Sequence, residues 1–259
     1  MVNWSFSRLS TYAACPKRYQ LKYVDGHASE PTLPMLAGTA VHTAIEQWET
    51  VKANDRDGPG LTTLAQLHLA ASPDLNTARV YGKKNIDYWI SGGLEQMCDA
   101  WLEFRGDHPL AFAETQPLSV EYEVKWQGEG VEFVGYIDQL VEADGGDRLV
   151  VRDLKTGKPK DTHRVQLECY MASLPRELTA RYERVSGEAV YLKDDGSYEI
   201  QTTEPTLTPY QLWEWLLEFS QAQVSHAFPA TGRFTGACEW CDFRHLCPVS
   251  GVGETNVLL

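Results

Sequence analysis

The sequence predicts an α/β chain: a central mixed sheet flanked by helices, interrupted by a helical insertion and closed by a cysteine-bearing terminal cap. Three observations predict it. Val131 to Val141 and Arg148 to Leu154 are rich in Val, Ile, Leu and Tyr around the run Asp144-Gly145-Gly146-Asp147, which is the composition of a β-hairpin. Segments with apolar residues at helical spacing lie on both sides of that hairpin. Cys15 stands near one end and Cys238, Cys241 and Cys247 near the other. With 259 residues and 43% hydrophobic content, the chain has enough apolar material for one large globular domain over 1–259. The expected division is a helical insertion at about 55–115, a core at about 116–204, and a C-terminal helix with its cysteine cap at about 205–259.

The elements follow in order. Ser7 is placed to cap a short helix through Ala14, which Cys15-Pro16 breaks because the residue before proline leaves the α region. Pro16 starts a second helix to Tyr23, and 25–34 reads as a loop. Gly38-Thr39 opens a helix to about Ala53, with Val41, Ala44, Ile45 and Trp48 on one face and His42 in the first turn. Asn54 to Gly60 is a polar linker. Leu61 to Ala71 and Thr77 to Arg105 read as helices, the second interrupted at Ser91-Gly92-Gly93. Tyr88, Trp89, Trp101 and Phe104 are assigned to the core. Leu118 to Trp126 alternates as a strand, with Glu121 and Glu123 on one face that is expected to be solvated, the alternative being that they add a carboxylate to the site. After the central hairpin come a turn at 156–159, a helix from Asp161 or Thr162 to about Leu174, and a hairpin of 188–193 with 196–201 about Asp195-Gly196. Thr208-Pro209 starts a last helix to about Ser225, burying Leu212, Trp213, Leu216, Phe219 and Val224.

Setting Gly145 and Gly146 as a two-residue turn pairs residues whose numbers sum to 291. Asp138 then faces Asp153, and Lys155, two residues on, leaves the same side. Two opposed carboxylates among apolar residues repel unless a cation sits between them, and hard oxygen ligands favour Mg²⁺ or Mn²⁺. The alternative is a pair of surface aspartates.

The net charge of −13 argues against a protein that coats nucleic acid by bulk charge. Positive charge is nevertheless local: five Lys/Arg against two Asp between Arg152 and Arg164, and Lys17, Arg18 and Lys22 with no acidic neighbour between Thr11 and Tyr23. No apolar run reaches the length of a membrane span and no signal pattern opens the chain, so a cytoplasmic location is expected.

Of six cysteines, Cys98 and Cys169 sit in helical patterns as small buried residues. Cys238-x2-Cys241-x5-Cys247 is a compact three-thiolate loop that needs a fourth ligand, for which Cys15 is the first choice. Zn²⁺ or an iron–sulfur cluster both suit four thiolates, and His245 is an alternative zinc ligand.

Together these pieces resemble the RecB-like exonucleases of the PD-(D/E)xK superfamily, especially iron–sulfur members such as the CRISPR-associated RecB-like exonucleases and the AddB nuclease domain. The matching parts are Ser5-Phe6-Ser7-Arg8-Leu9 leading to Tyr12 and Cys15-Pro16, then Gly38-Thr39-Ala40-Val41-His42, Gly135-Tyr136-Ile137-Asp138, Asp153-Leu154-Lys155, Gln166-x3-Tyr170 and the terminal cysteines. The resemblance implies a restriction-endonuclease-like core and a metal-dependent DNA exonuclease acting on single strands or ends, in DNA repair, recombination, phage DNA processing or CRISPR adaptation. It implies that His42, Asp138, Asp153 and the Leu154 carbonyl bind Mg²⁺ or Mn²⁺, and that Lys155 positions the attacking water. Gln166 and Tyr170 would contact DNA or order the site, and Cys15, Cys238, Cys241 and Cys247 would hold a structural [4Fe-4S] cluster. The sequence lacks a G-x-x-x-x-G-K-[ST] phosphate loop, so the nuclease stands alone or works with a separate helicase, recombination or adaptation partner. A catalytically silent DNA-binding or assembly subunit is the alternative, against which the retention of His42, Asp138, Asp153 and Lys155 argues. A zinc-stapled interaction protein is a third reading.

Overall fold

The computed structural model describes residues 2–50, 58–80, 82–108 and 117–249, with only the backbone of 58 and 59. Residues 51–53 of the expected third helix and 54–57 of the expected linker lie outside it. The chain divides into two compact units: Met1–Glu30, Lys125–Val134 and Pro209–Leu259 form the first, and Pro31–Val124 and Gly135–Thr208 the second.

In the first unit, β1 (Val2–Trp4) pairs in parallel with the opening residues of β3, Val131 to Phe133. Helix α1 (Phe6–Ala14) is capped by Ser5, whose hydroxyl accepts from the Arg8 amide, so the cap lies two residues before the expected Ser7. Ser7 instead lies inside the helix, where its carbonyl accepts from Thr11 Oγ1 at 2.7 Å. Cys15, extended ahead of its proline, separates α1 from α2 (Pro16–Tyr19), which runs on into a π-helical turn, Gln20–Val24. Helix α9 (Pro209–Val224) buries Leu212 and Leu216 and, unexpectedly, Ser220, because the Trp4 indole donates to Ser220 Oγ at 2.8 Å. Trp4 stacks on Tyr19 at 5.2 Å and Tyr12 lies 4.9 Å from Phe219, an aromatic core for this unit. Val224, expected inside, is 71% exposed at the last turn, where the apolar stripe has rotated off the core. Helix α10 (Gly232–Thr235) and a 3₁₀ turn (Ala237–Trp240) complete the unit.

The second unit begins with α3 (Leu33–Thr50), five residues earlier than Gly38, so His42 is mid-helix rather than in the first turn. Leu33 and Leu36 are buried, and that apolar stripe prolongs the helix backwards. Helix α4 (Gly58–Ala70) follows. In the segment expected to be helical from Thr77, the described residues 77–80 and 82–85 are irregular, and helix comes with α5 (Ile86–Tyr88), a π-helical turn (Trp89–Gly93) and α6 (Leu94–Asp107). Asn85 caps that run by accepting from the Tyr88 amide at 3.0 Å, which sets its start.

Strands β2 (Ser119–Gly128) and β3 (Val131–Ala143) pair with each other. Strand β4 (Arg148–Lys155) pairs antiparallel with β3 and parallel with β5 (Arg184–Leu192), and β5 pairs antiparallel with β6 (Tyr198–Thr203), so the sheet is mixed. Helix α7 (Asp161–Ser173) is followed by the short α8 (Arg176–Thr179).

Alternation along β4 and β5 assigns the two sheet faces. Leu154, Val190 and Leu192 enter the core built with α3, α4 and α6, which also buries Trp89, Trp101 and Phe104. On the other face, Leu167 of α7 packs against Gly187. Both Cys98 and Cys169 are buried as expected. The β3–β4 connection is four residues, 144–147, with positive φ at Asp144, Gly145 and Gly146, and not the two-residue turn expected. Arg148 and Arg184 both hold the Asp144 carboxylate, which stabilises the left-handed Asp144. The register nevertheless sums to 291, from Gln139 with Arg152 to Ala143 with Arg148.

Candidate functional site

The register decides the site. One step beyond the Gln139–Arg152 pair sets Asp138 opposite Asp153. Asp138 Oδ2 accepts from the backbone N–H of Leu154 at 2.6 Å and lies 3.6 Å from His42 Nδ1. Asp153 Oδ2 forms an ion pair with Lys155 Nζ and has no partner of hydrogen-bond geometry beside it. Asp153 Oδ1 accepts from Gln166 Nε2 at 3.1 Å, and the same Nε2 donates to Tyr170 Oη at 3.0 Å. The spacing of four on α7 aligns Gln166 and Tyr170 under Asp153, on the sheet face that α7 covers. His42, Asp138, Asp153, Lys155, Gln166 and Tyr170 thus form one connected group, and Leu154 enters it through its amide.

Burial dominates the electrostatics. Asp153 is only 2% exposed. Burial pushes its carboxyl up to about 6 against the opposing pull of Lys155, with Asp138 adding repulsion. Burial likewise raises Asp138 to about 6, opposed by Lys155 and the Leu154 amide and reinforced by Glu46. Burial and Lys155 depress His42 to about 4, so at neutral pH its imidazole is uncharged and its approach to Asp138 is not an ion pair.

Two further carboxylates border the group, Glu46 unforeseen and Glu121 by the alternative reading of its strand. Glu46 is one helical turn beyond His42, and Glu121 reaches in from β2; both line a hollow of about 210 Å³ with His42, Asp138 and Leu154. Desolvation raises the Glu121 carboxyl to about 7, with Asp138, Glu46 and Asp153 adding to the shift. Glu121 is exposed, as expected of its strand face, and also lines the hollow beside Asp138, with a φ of +51° that interrupts the strand there. The i, i+4 relation of His42 and Glu46 was legible and was not used.

Uncharged imidazole and buried oxygen donors whose ionised form is penalised by burial suit a hard divalent cation, which would relieve that penalty. Among the described residues, no group of three or more His, Cys, Asp or Glu side chains is closed into a ready-made metal cage. The fit is therefore one of donor type and shared hollow.

The cysteines form a second candidate centre, within the first unit. Cys15, Cys238, Cys241 and Cys247 line one open hollow of about 350 Å³ with Arg18 and Gly232. A Cβ at Gly232 would stand 2.9 Å from Cys238 Sγ and 3.5 Å from Cys15 Sγ, so only glycine leaves the sulfurs this approach. Burial raises the Cys241 thiol, and Cys15 and Cys238 both add to the shift from nearby. Four thiols in one hollow suit a tetrahedral or cubane metal group in donor type. Cys15 is thus brought to the C-terminal loop; His245 is exposed and is not among the residues lining the hollow.

Three comparisons bear on this arrangement. The family profile described as the PD-(D/E)XK nuclease superfamily matches residues 3–248. The chain is 23% identical over 287 residues to the Gene 69 protein of Mycobacterium phage L5, covering 95% of this chain and 96% of that protein. Among solved structures, SSO0001 is 16% identical with a TM-score of 0.45, covering 96% of this chain and 86% of that one. A Eubacterium rectale protein with a provisional exonuclease name is 11% identical with a TM-score of 0.47, covering 85% and 78%.

Proposed function

We propose that this chain, which belongs to the PD-(D/E)XK nuclease superfamily, is a Mg²⁺- or Mn²⁺-dependent deoxyribonuclease that degrades DNA from ends, with single strands as its substrate. The observation that carries this reading is the convergence of His42, Asp138, Asp153 and Lys155 where the middle of β3 meets the end of β4, backed by Gln166 and Tyr170.

His42, Asp138 and Asp153 would hold the divalent ion, with the Leu154 carbonyl as a further ligand. When bound, such an ion supplies a more acidic water and neutralises charge on the phosphate. The protein groups do the rest. The Leu154 amide fixes one Asp138 oxygen, and Gln166 fixes one Asp153 oxygen, so both carboxylates are oriented before substrate arrives. Lys155 is held at Asp153 and donates to the attacking water or to the phosphate oxygen where negative charge develops. Water adds to phosphorus and gives up a proton to solvent, the P–O bond to the neighbouring nucleotide breaks, and the leaving oxygen takes a proton from solvent. Tyr170 keeps the Gln166 amide aimed at Asp153.

Cys15, Cys238, Cys241 and Cys247 would hold a [4Fe-4S] cluster that staples the first unit, with zinc as the other metal the donors allow. The full-length likeness to a mycobacteriophage protein favours phage DNA processing as the setting, ahead of repair, recombination or CRISPR adaptation. A separate helicase or recombination protein would supply strand opening.

The deciding experiment digests end-labelled single- and double-stranded DNA, with free or blocked 5′ and 3′ ends, with and without Mn²⁺. Progressive release of short products from a free end is expected only with the metal. Inert wild-type protein under all conditions would leave the silent DNA-binding reading in its place, and rapid cutting of circular single strands would make the enzyme an endonuclease.

A further inference from the structure

Three cations line the cysteine hollow, and one of them carries a donor with no acceptor. Lys17, Arg18 and Arg244 stand around it with the four cysteines, and no acidic side chain is among the described residues lining it. Lys17 is engaged: its Nζ donates to Gln20 Oε1 at 2.8 Å. Arg18 is different. Its Nε is buried and has no hydrogen-bond partner among the described residues. Long cations commonly bury an apolar stem and keep the charged head in water. Here the buried atom belongs to the head itself, and a buried donor left unpaired costs free energy that folded chains rarely tolerate.

The position of Arg18 follows from the sequence. Cys15 is extended ahead of Pro16 and flanks α2, and Arg18 is three residues on, one helical turn away, which sets its guanidinium beside the same hollow as the thiol. The charge of Arg18 is felt at the C-terminal loop as well: burial raises the Cys241 thiol, and the Phe243 amide and Arg18 draw it the other way. The hollow offers Nε–H few acceptors. The other side chains lining it are apolar or cationic, so among side chains only the cysteine sulfurs can accept. A neutral thiol is a weak acceptor, whereas a metal-bound thiolate is anionic and a stronger one. Four thiolates outweigh the charge of a zinc ion or of a [4Fe-4S]²⁺ core, so either group is a net anion.

We propose that Arg18 is a positioning residue of the cysteine centre, donating its Nε–H to a sulfur of the metal group held by Cys15, Cys238, Cys241 and Cys247 and offsetting that group's negative charge. The proposal rests on the reading of the four cysteines as a metal centre and adds the residue that decides how firmly the group is kept and how readily it takes up an electron. Hydrogen bonds to the sulfurs and nearby charge set both properties. A cation beside the sulfurs favours the more negative, reduced form, so its loss lowers the reduction potential.

The test compares the full chain, purified without air, as wild type, Arg18→Lys, Arg18→Gln and Arg18→Met. Lys22→Met is the control, since it removes a cation that does not line the hollow. Two quantities are read: the midpoint potential of the visible absorbance in a dithionite titration, and the rate at which iron passes to excess chelator. Arg18→Met and Arg18→Gln should each shift the one-electron equilibrium roughly tenfold toward the oxidised form, about 59 mV lower in potential. Both should release iron roughly ten times faster, the loss expected when an outer-shell partner of a metal ligand goes. Arg18→Lys should recover most of the potential, which charge sets, and less of the retention, which the Nε–H geometry sets. Lys22→Met should match wild type in both. The proposal is overturned if Arg18→Met keeps the wild-type potential and release rate, or if Lys22→Met shifts them as much, which would make the effect one of net charge alone. It is also overturned if the Arg18 variants lower the melting temperature with potential and release unchanged, since that is the mark of packing. In a colourless wild type holding zinc, zinc release takes the place of iron release, and a rate unchanged by Arg18→Met overturns the proposal there too. Wild type holding neither metal removes the cysteine-centre reading itself and the proposal with it, whereas wild type that holds its metal beside unaffected variants removes only the role of Arg18.

Discussion

Asp153 pairs with Lys155, accepts from Gln166 and faces Asp138, and the consequences of the acidic centre are clearest at that single residue. Asp153→Ala removes a buried oxygen donor whose neighbours, Gln166 and Lys155, stay in place. Mn²⁺-dependent turnover is expected to fall on the order of 10³-fold, about 4 kcal/mol at the transition state, with the circular dichroism spectrum unchanged. Lys155→Ala should cost on the order of 10²-fold in kcat yet leave Mn²⁺ affinity no weaker, because the ammonium has no lone pair to offer and is not a ligand. Calorimetry showing lost affinity would refute its role as a water and phosphate group. The pH dependence follows from the carboxyls raised to about 6 in the folded metal-free chain. Their unfolded value is about 4, so the folded state binds protons more tightly and loses stability as pH rises from about 4 through 6. A cation reverses that loss only where the carboxyls are ionised. Mn²⁺ at 100 times its Kd should therefore stabilise by about 2.7 kcal/mol at pH 7.5 and by much less at pH 5. Equal melting shifts at the two pH values would contradict the assignment of these two residues as ligands.

Helix α3 shows how an element carries a site. His42 reaches the acidic centre because α3 passes close to the end of β4, and Gly38, one turn before His42, makes that approach. A Cβ at Gly38 would overlap Thr156 Oγ1, the residue after Lys155. Gly38→Ala should destabilise the fold by roughly 1–3 kcal/mol and lower turnover more than a surface change would, since α3 must shift and take His42 with it. Removing the obstructing hydroxyl should undo this. The double variant Gly38→Ala/Thr156→Ala is expected to regain most of the melting temperature and activity, and a cycle showing simple additivity would place the strain elsewhere. The sequence motif made glycine here look like a helix start, and the actual reason is the tight packing of a helix interior against a strand end.

For the whole molecule, Cys15 lines one hollow with a loop that ends at Cys247, almost the entire sequence away, and both lie in one compact unit. Binding of a metal group only in the folded state stabilises that state, and among the described residues of the cap, 232–249, the regular structure is limited to short helical turns. Cys241→Ser is expected to lower the melting temperature, reduce solubility and abolish visible absorbance, while the soluble remainder still binds Mn²⁺ at the acidic centre of the other unit. A colourless wild type containing zinc would assign the staple to zinc. A Cys241→Ser variant as stable as wild type but inactive would make the cysteine centre part of the chemistry.

The central hairpin was readable from the sequence because its cause is local: period-two hydrophobicity and a glycine-rich turn impose one register, and that register alone brings Asp138 opposite Asp153. The four-residue turn replaced the two-residue one without altering the register, since it is centred on the same glycines. Gln166 and Tyr170 were readable as one helix face for the same reason. What the tertiary structure decided is everything set by contacts distant in sequence. Helix α3 starts at Leu33 because Leu33 and Leu36 find a core to enter, and Glu46 and Glu121 come to line one hollow with Asp138 through contacts distant in sequence. Cys15 meets Cys238 across Gly232 only once α10 is seated on α1. Periodicity reports which side of an element is apolar, but the partner that side meets, and the polar groups carried with it, come only from packing.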